Sequence, residues 1–131
     1  MSQNIPAGPV VFECPVCRAA ITRPLQLLEP SLALCTEDRK DAVPRGFFAI
    51  NTPDYWTEGS DRVLVNLTDL VETRRHPDPH RLNGCCGLDG CDGPNLVCAM
   101  GHEVATEKSD CWMAHAAILL ESVVWHRKGS E

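Results

Sequence analysis

Five of the chain's eight cysteines and five of its nine glycines fall between Arg81 and Cys111, in the stretch RLNGCCGLDGCDGPNLVCAMGHEVATEKSDC. Soft ligands, a histidine and turn-forming glycines crowded together describe a metal-holding loop system better than a packed helix or sheet. Gly84, Gly87, Gly90 and Gly93 recur at every third residue. Four repeats are too few for a collagen-like helix and suit a run of tight turns with close backbone approach.

The rest of the chain has to fold around that stretch with little apolar material. A length of 131 residues fits one domain, aromatics make up 5%, and part of the hydrophobic fraction is cysteine. A thin core calls for a staple, and eight cysteines supply either disulfides or metal. Met1 to Val11 has no basic start and contains two prolines, so it does not read as a signal peptide. The expectation is therefore a cytoplasmic, reducing environment, where thiols bind metal more often than they pair. No apolar run approaches the roughly 18 residues of a membrane span. A formal charge of −6 argues against a general nucleic-acid binder.

Cys14-Pro15-Val16-Cys17 is the sharpest local motif. Two cysteines with two residues between them close on one ion from a tight turn, with backbone N–H groups aimed at the sulfurs. In many zinc knuckles glycine follows the second cysteine; here Arg18 does. The same motif also opens thioredoxin-like redox sites, but those need alternating strands and helices afterwards, and Pro24, Pro30 and Pro44 interrupt this chain.

The order of the chain suggests a single zinc-stapled domain over 1–131, small and mostly β or α+β. Residues 1–9 read as a loose lead-in. Residues 10–35 hold the first knuckle and short strands at Val10–Phe12, Ile21–Leu28 and Ser31–Leu34, ending at Cys35. Cys35 is either a ligand or a small core residue. Residues 44–72 supply a β body, with strands at Phe47–Ile50 and Arg62–Leu67 around a polar loop. Phe47, Ile50, Val63, Val65 and Leu67 are its candidate core. Thr73 to Arg81 is basic and reads as an extended surface loop. His76 or His80 could ligate from it, or Arg74, Arg75 and Arg81 could form an anion site. Ala114 to Trp125 is apolar and undecided between helix and strand, and His126 to Lys128 reads as an exposed basic tip.

Residues 81–112 are the metal-binding segment. Cys98 and His102 form a C-x3-H pair turning at Gly101. Cys111 returns after what reads as a polar loop from Glu103 to Asp110, and Cys85 or Cys86 completes a Cys3His set. In extended chain, Cys85 and Cys86 would face opposite sides, so one would ligate while the other packs, or each would serve a different ion. Cys91 is the remaining candidate. Asp89 and Asp92 lack the spacing of a calcium loop, and the thioether of Met100 is a weak zinc ligand. Glu103, beside His102, is the carboxylate to watch for a catalytic zinc and, with Asp89, a candidate acceptor for the imidazole's second nitrogen.

Cys14-Pro15-Val16-Cys17 together with the later cysteine and histidine knuckle resembles the zinc-ribbon proteins, in which two short hairpins hold one ion. That resemblance implies Cys14 and Cys17 on one knuckle and Cys98 and His102 on the other. Residues 81–112 also resemble a family of small uncharacterised bacterial proteins with a GCCGLDG…NLVC…GHE…SDCW pattern, which covers about a quarter of the chain and implies no activity. Three functions follow from these readings. One is a non-catalytic zinc-stapled domain that binds another protein. The others are a thiol- or metal-dependent enzyme (an oxidoreductase or a hydrolase) and a nucleic-acid-binding ribbon. The absence of a local nucleophile–base signature favours the first, with one or two zinc ions as the cofactor.

Overall fold

Short apolar runs separated by proline and glycine favour strands over helices. The computed structural model describes residues 9–28, 34–51 and 62–127. Among them the chain is mostly β, with nine strands and two single turns of 3-10 helix. No helix among the described residues is long and apolar enough to cross a membrane.

Strand β1 (Val10–Glu13) pairs antiparallel with β9 (Val124–Arg127) as a separate ribbon. The other strands are β2 (Gln26–Leu27), β3 (Phe47–Ile50), β4 (Val63–Val65), β5 (Thr73–Arg75), β6 (Leu96–Cys98), β7 (Glu103–Lys108) and β8 (Ala116–Leu119). They form one sheet in the order β2-β3-β4-β8-β7-β6-β5. Only the β2–β3 pair is parallel.

Strand β8 shows why 114–125 is ambiguous as sequence. Ala117 and Leu119 join one apolar cluster with Phe48 and Val65, while Ala116 and Ile118 join another with Ala49 and Leu64. The period of two is present, but both faces are buried, so it reads as an unbroken apolar run. A turn closed by Val123 N–H on Leu120 C=O then starts β9.

The β1–β9 ribbon covers the first cluster. Val10 and Phe12 are buried in it, and the Phe12 ring meets Phe48 edge-on, 5.2 Å between centroids at 79°. Burying a side chain of this size stabilises by roughly 1.5–3 kcal/mol. Leu28, Ala42 and Val43 cover the second cluster.

Several expectations change. The double-sided burial shifts the core by one residue. Phe48 and Leu64 are fully buried beside Val65, whereas Phe47, Val63 and Leu67 lie at the margin and Ile50 is half-buried. Within 21–28 only Gln26–Leu27 is strand, because Pro24 lacks the N–H that a continuous ladder needs. Much of the basic stretch is edge strand β5, paired to β6, and a 3-10 turn at Pro79–Arg81 capped by Asp78. His126 is exposed as expected, but it sits in β9, with Nδ1 2.6 Å from Glu13 Oε2 across the ribbon. Residues 29–33, which contain most of the Ser31–Leu34 strand, the central loop 52–61, and Lys128 lie outside the described residues.

Candidate metal centre

The first knuckle hangs from β1. Cys14 N–H bonds Ala19 C=O at 2.9 Å and Arg18 N–H bonds Cys14 C=O at 3.0 Å, folding the CPVC turn back on itself. Val16 N–H points at Cys14 Sγ, 3.4 Å away. Arg18 takes the position where glycine was expected, and does so at φ 63°, in the left-handed region.

The second knuckle is the turn between β6 and β7, and it repeats these contacts. Met100 N–H points at Cys98 Sγ at 3.3 Å, Gly101 N–H bonds Cys98 C=O at 2.9 Å, and Cys98 N–H bonds His102 C=O at 2.8 Å. Gly101 has φ 94°, which the turn requires and an L side chain resists.

The two turns face one another. Cys17 Sγ lies 3.8 Å from Cys98 Sγ, and His102 Nδ1 lies 3.7 Å from Cys14 Sγ and 3.3 Å from Cys98 Sγ. All four ligand atoms fall within 4.8 Å of one another, so Cys14, Cys17, Cys98 and His102 could hold a metal ion. Cys14 and Cys98 have no exposed surface, while Cys17 reaches the outside. Burial opposes ionisation of Cys98. The backbone at His102 and Met100, the imidazole and the Cys17 thiol outweigh it and bring the thiol down from 9.0 to about 6. The sulfur is therefore disposed to meet a cation as thiolate.

Cys85, Cys86 and Cys111 form a second group that could hold an ion, also within 4.8 Å of one another. Cys85 and Cys86 are exposed and Cys111 is half-buried. Pressure from the Cys111 and Cys85 thiols, with burial behind them, pushes Cys86 up to about 11.

The structure thus separates Cys111 from Cys98 and His102. The expected polar loop from Glu103 to Asp110 is mostly strand β7, whose Val104, Ala105, Thr106 and Lys108 are buried. A six-residue strand extends about 17 Å at 3.3–3.4 Å per step, too far for the residues at its two ends to share an ion. Cys35 and Cys91 belong to neither group. Cys91 N–H bonds Asp89 Oδ1 at 2.9 Å, and Cys35 N–H bonds Ala42 C=O at 3.2 Å. All eight cysteines are unpaired thiols.

Glu103 is also committed elsewhere. Its Oε2 lies 3.1 Å from an Arg81 guanidinium nitrogen and 2.9 Å from His76 Nε2. His76 Nδ1 accepts Asp78 N–H at 3.0 Å, so the ring proton sits on Nε2 and is given to Glu103. Arg75 meets Glu107 at 3.4 Å, so Arg75 and Arg81 each already face a carboxylate rather than converging on an anion. His80 is exposed and turns on Asp78.

One residue escaped the sequence reading. Asp110 is almost fully buried, and its carboxylate accepts N–H bonds from Cys85 (2.9 Å), Cys86 (2.8 Å), Cys111 (2.8 Å) and the Trp112 indole (2.9 Å). Those donors, Cys85 and Cys86 foremost, hold it well below the usual carboxylate range. Its only sequence signal is a short acidic side chain immediately before a cysteine.

The chain matches no protein-family model, curated protein or solved structure.

Proposed function

We propose that this chain is a non-catalytic, zinc-stapled domain of the ribbon type, with Cys14, Cys17, Cys98 and His102 as the ligands, and that it binds another protein. The spacing of the four donor atoms carries the reading. A tetrahedral zinc with Zn–S near 2.3 Å and Zn–N near 2.0–2.1 Å sets its sulfurs about 3.8 Å apart and sulfur from nitrogen about 3.5 Å apart. The separations here are 3.8 Å between sulfurs and 3.7 and 3.3 Å between sulfur and nitrogen. Four protein ligands close the coordination shell and leave no position for a reacting water. The commitment of Glu103 to Arg81 and His76 removes the adjacent acid or base that a hydrolase would use. Two hairpin-like turns clasping one ion fit the ribbon resemblance, with the β body inserted between them.

A protein partner is supported by the knuckle tips. Val16 and Met100, the residues whose N–H groups serve the two sulfurs, are 65% and 72% exposed. Apolar side chains held outward on rigid turns suit a protein contact better than a polyanion.

Elemental analysis and cobalt substitution test the staple. The expected cobalt form absorbs intensely in the visible, with thiolate charge-transfer bands that weaken in Cys17→Ser and Cys98→Ser. Metal-binding energy is folding energy in such domains, so both variants should also lose cooperative melting. An octahedral cobalt spectrum, or variants that melt like the parent with unchanged metal content, would overturn the reading.

A further inference from the structure

Beyond β7, at the far end from the knuckles, Cys85, Cys86 and Cys111 are brought together by the buried Asp110 carboxylate. Its Oδ2 accepts Cys85 N–H and the Trp112 indole N–H, and its Oδ1 accepts Cys86 N–H and Cys111 N–H. Both oxygens are thus doubly engaged. They pin the 85–86 turn to residues 111–112, and neither is free to serve as a ligand. Leu88 N–H to Ser109 Oγ (3.0 Å) and Ser109 N–H to Leu88 C=O (2.8 Å) close the same junction one step along.

We propose that Cys85, Cys86 and Cys111 form a second, open metal site that takes a thiophilic d10 cation, zinc or cuprous copper, through three sulfurs. Its outward position is left to an exchangeable ligand. Neighbouring residues in extended chain present their side chains to opposite sides, yet here Cys85 and Cys86 lie in a bend with their sulfurs 4.0 Å apart. That separation is close to the tetrahedral sulfur–sulfur edge of about 3.8 Å. Among the described residues no histidine, carboxylate or further cysteine places a ligand atom in this group. An all-sulfur, three-donor set selects soft cations: cuprous copper is satisfied by three thiolates, and zinc takes a fourth ligand from outside. Exposure of Cys85 and Cys86 puts that fourth position at the surface. The site is therefore suited to receive or release an ion through an incoming thiolate, which the closed Cys3His set is not. No residue is oxidised or reduced in the exchange.

The test uses the reduced full-length chain with its first site filled. Zinc is titrated against a chromophoric chelator, and cuprous copper is titrated anaerobically against a competing copper chelator. The parent should bind one equivalent more than Cys86→Ser and than Cys111→Ser. Cys91→Ser, which alters a nearby thiol outside the group, should bind like the parent. In the cobalt form, added small thiol should shift the spectrum of the second equivalent alone. A gain with zinc only identifies the four-coordinate form, and a gain with copper only identifies the trigonal one. Each outcome supports the site. Because the readout is the difference between parent and variant, it does not depend on which ion fills the first site. If Cys86→Ser misfolds, Cys85→Ser provides the same comparison. Retention of the second equivalent in the serine variants would overturn the proposal. So would a parent that binds no second ion and closes a Cys86–Cys111 disulfide instead.

Discussion

Gly87→Ala isolates the junction between the cysteine-rich turn and the end of β7. A Cβ at Gly87 would sit 2.2 Å from the Ser109 carbonyl oxygen and 2.8 Å from Ser109 Oγ, where real Cβ contacts stop near 3.0 Å. The two backbones would have to separate by about 0.8 Å, and both belong to short, cross-bonded segments. Separation by that amount would stretch the 2.8 and 3.0 Å bonds between Leu88 and Ser109 to about 3.6–3.8 Å, outside hydrogen-bond range. Two such bonds contribute about 1–3 kcal/mol net. For a chain of this size that corresponds to a fall in Tm of roughly 4–12 °C if the junction melts with the core. If the turn peels away alone, Tm holds and the loss is local. Hydrogen exchange separates these cases, because the amides of Cys85, Cys86, Leu88 and Ser109 lose protection in either. The amides of Cys98 and Val104, in β6 and β7 nearer the knuckles, should keep theirs if the turn peels alone. A Gly87→Ala protein with the parent's Tm and full protection at those four amides would refute the close approach.

Two further outcomes follow from backbone conformation and capping. A side chain in the left-handed region costs about 1–2 kcal/mol, part of which glycine returns as lost chain entropy, so Arg18→Gly should raise the stability of the metal-loaded protein by up to about 1 kcal/mol. Arg18→Val should lower it, and the reverse order in thermal melts would show that the first knuckle does not turn through a left-handed residue. Asp78 is held below the ordinary 3.8 by the His80 backbone N–H first and the His80 side chain second, so its support of the Pro79–Arg81 turn is present above pH 3.8 and is lost as the pH falls through its lower, folded value. A carboxyl carbon titration by NMR with a midpoint at or above 3.8 would contradict this.

Much of the strand content was legible because it rests on local chemistry. Phe47–Ile50 is strand at the expected bounds, and β1 and β4 fall within a residue or two of theirs. What misled was burial on both faces. FFAI and AAIL bury alternate residues in two different clusters, so neither shows the polar half of a strand pattern. The strand β7, EVATEK, failed for the opposite reason. Its Lys108 is buried, with Nζ 3.1 Å from the Asp89 carbonyl oxygen, so the sequence looks polar where the structure is not.

That misreading decided the metal site as well. Which cysteines lie within reach of one ion depends less on their spacing in sequence than on what lies between them. A flexible loop of eight residues can bring Cys111 back to His102, but a strand over Glu103–Lys108, about 17 Å long at 3.3–3.4 Å per step, keeps them apart. Once Glu103–Lys108 is strand, Cys98 and His102 must find partners at the β6–β7 turn, where the ribbon delivers Cys14 and Cys17. Cys111 must find its own at the other end, where Asp110 gathers Cys85 and Cys86. The same strand places a partly buried group of three cysteines and a histidine at one end and a more exposed group of three cysteines at the other. Sequence spacing alone put Cys111, with Cys85 or Cys86, beside Cys98 and His102 in one Cys3His set. The rigidity of β7 instead divides those ligands between two groups, each of which could hold a metal ion, and leaves Cys35 and Cys91 in neither.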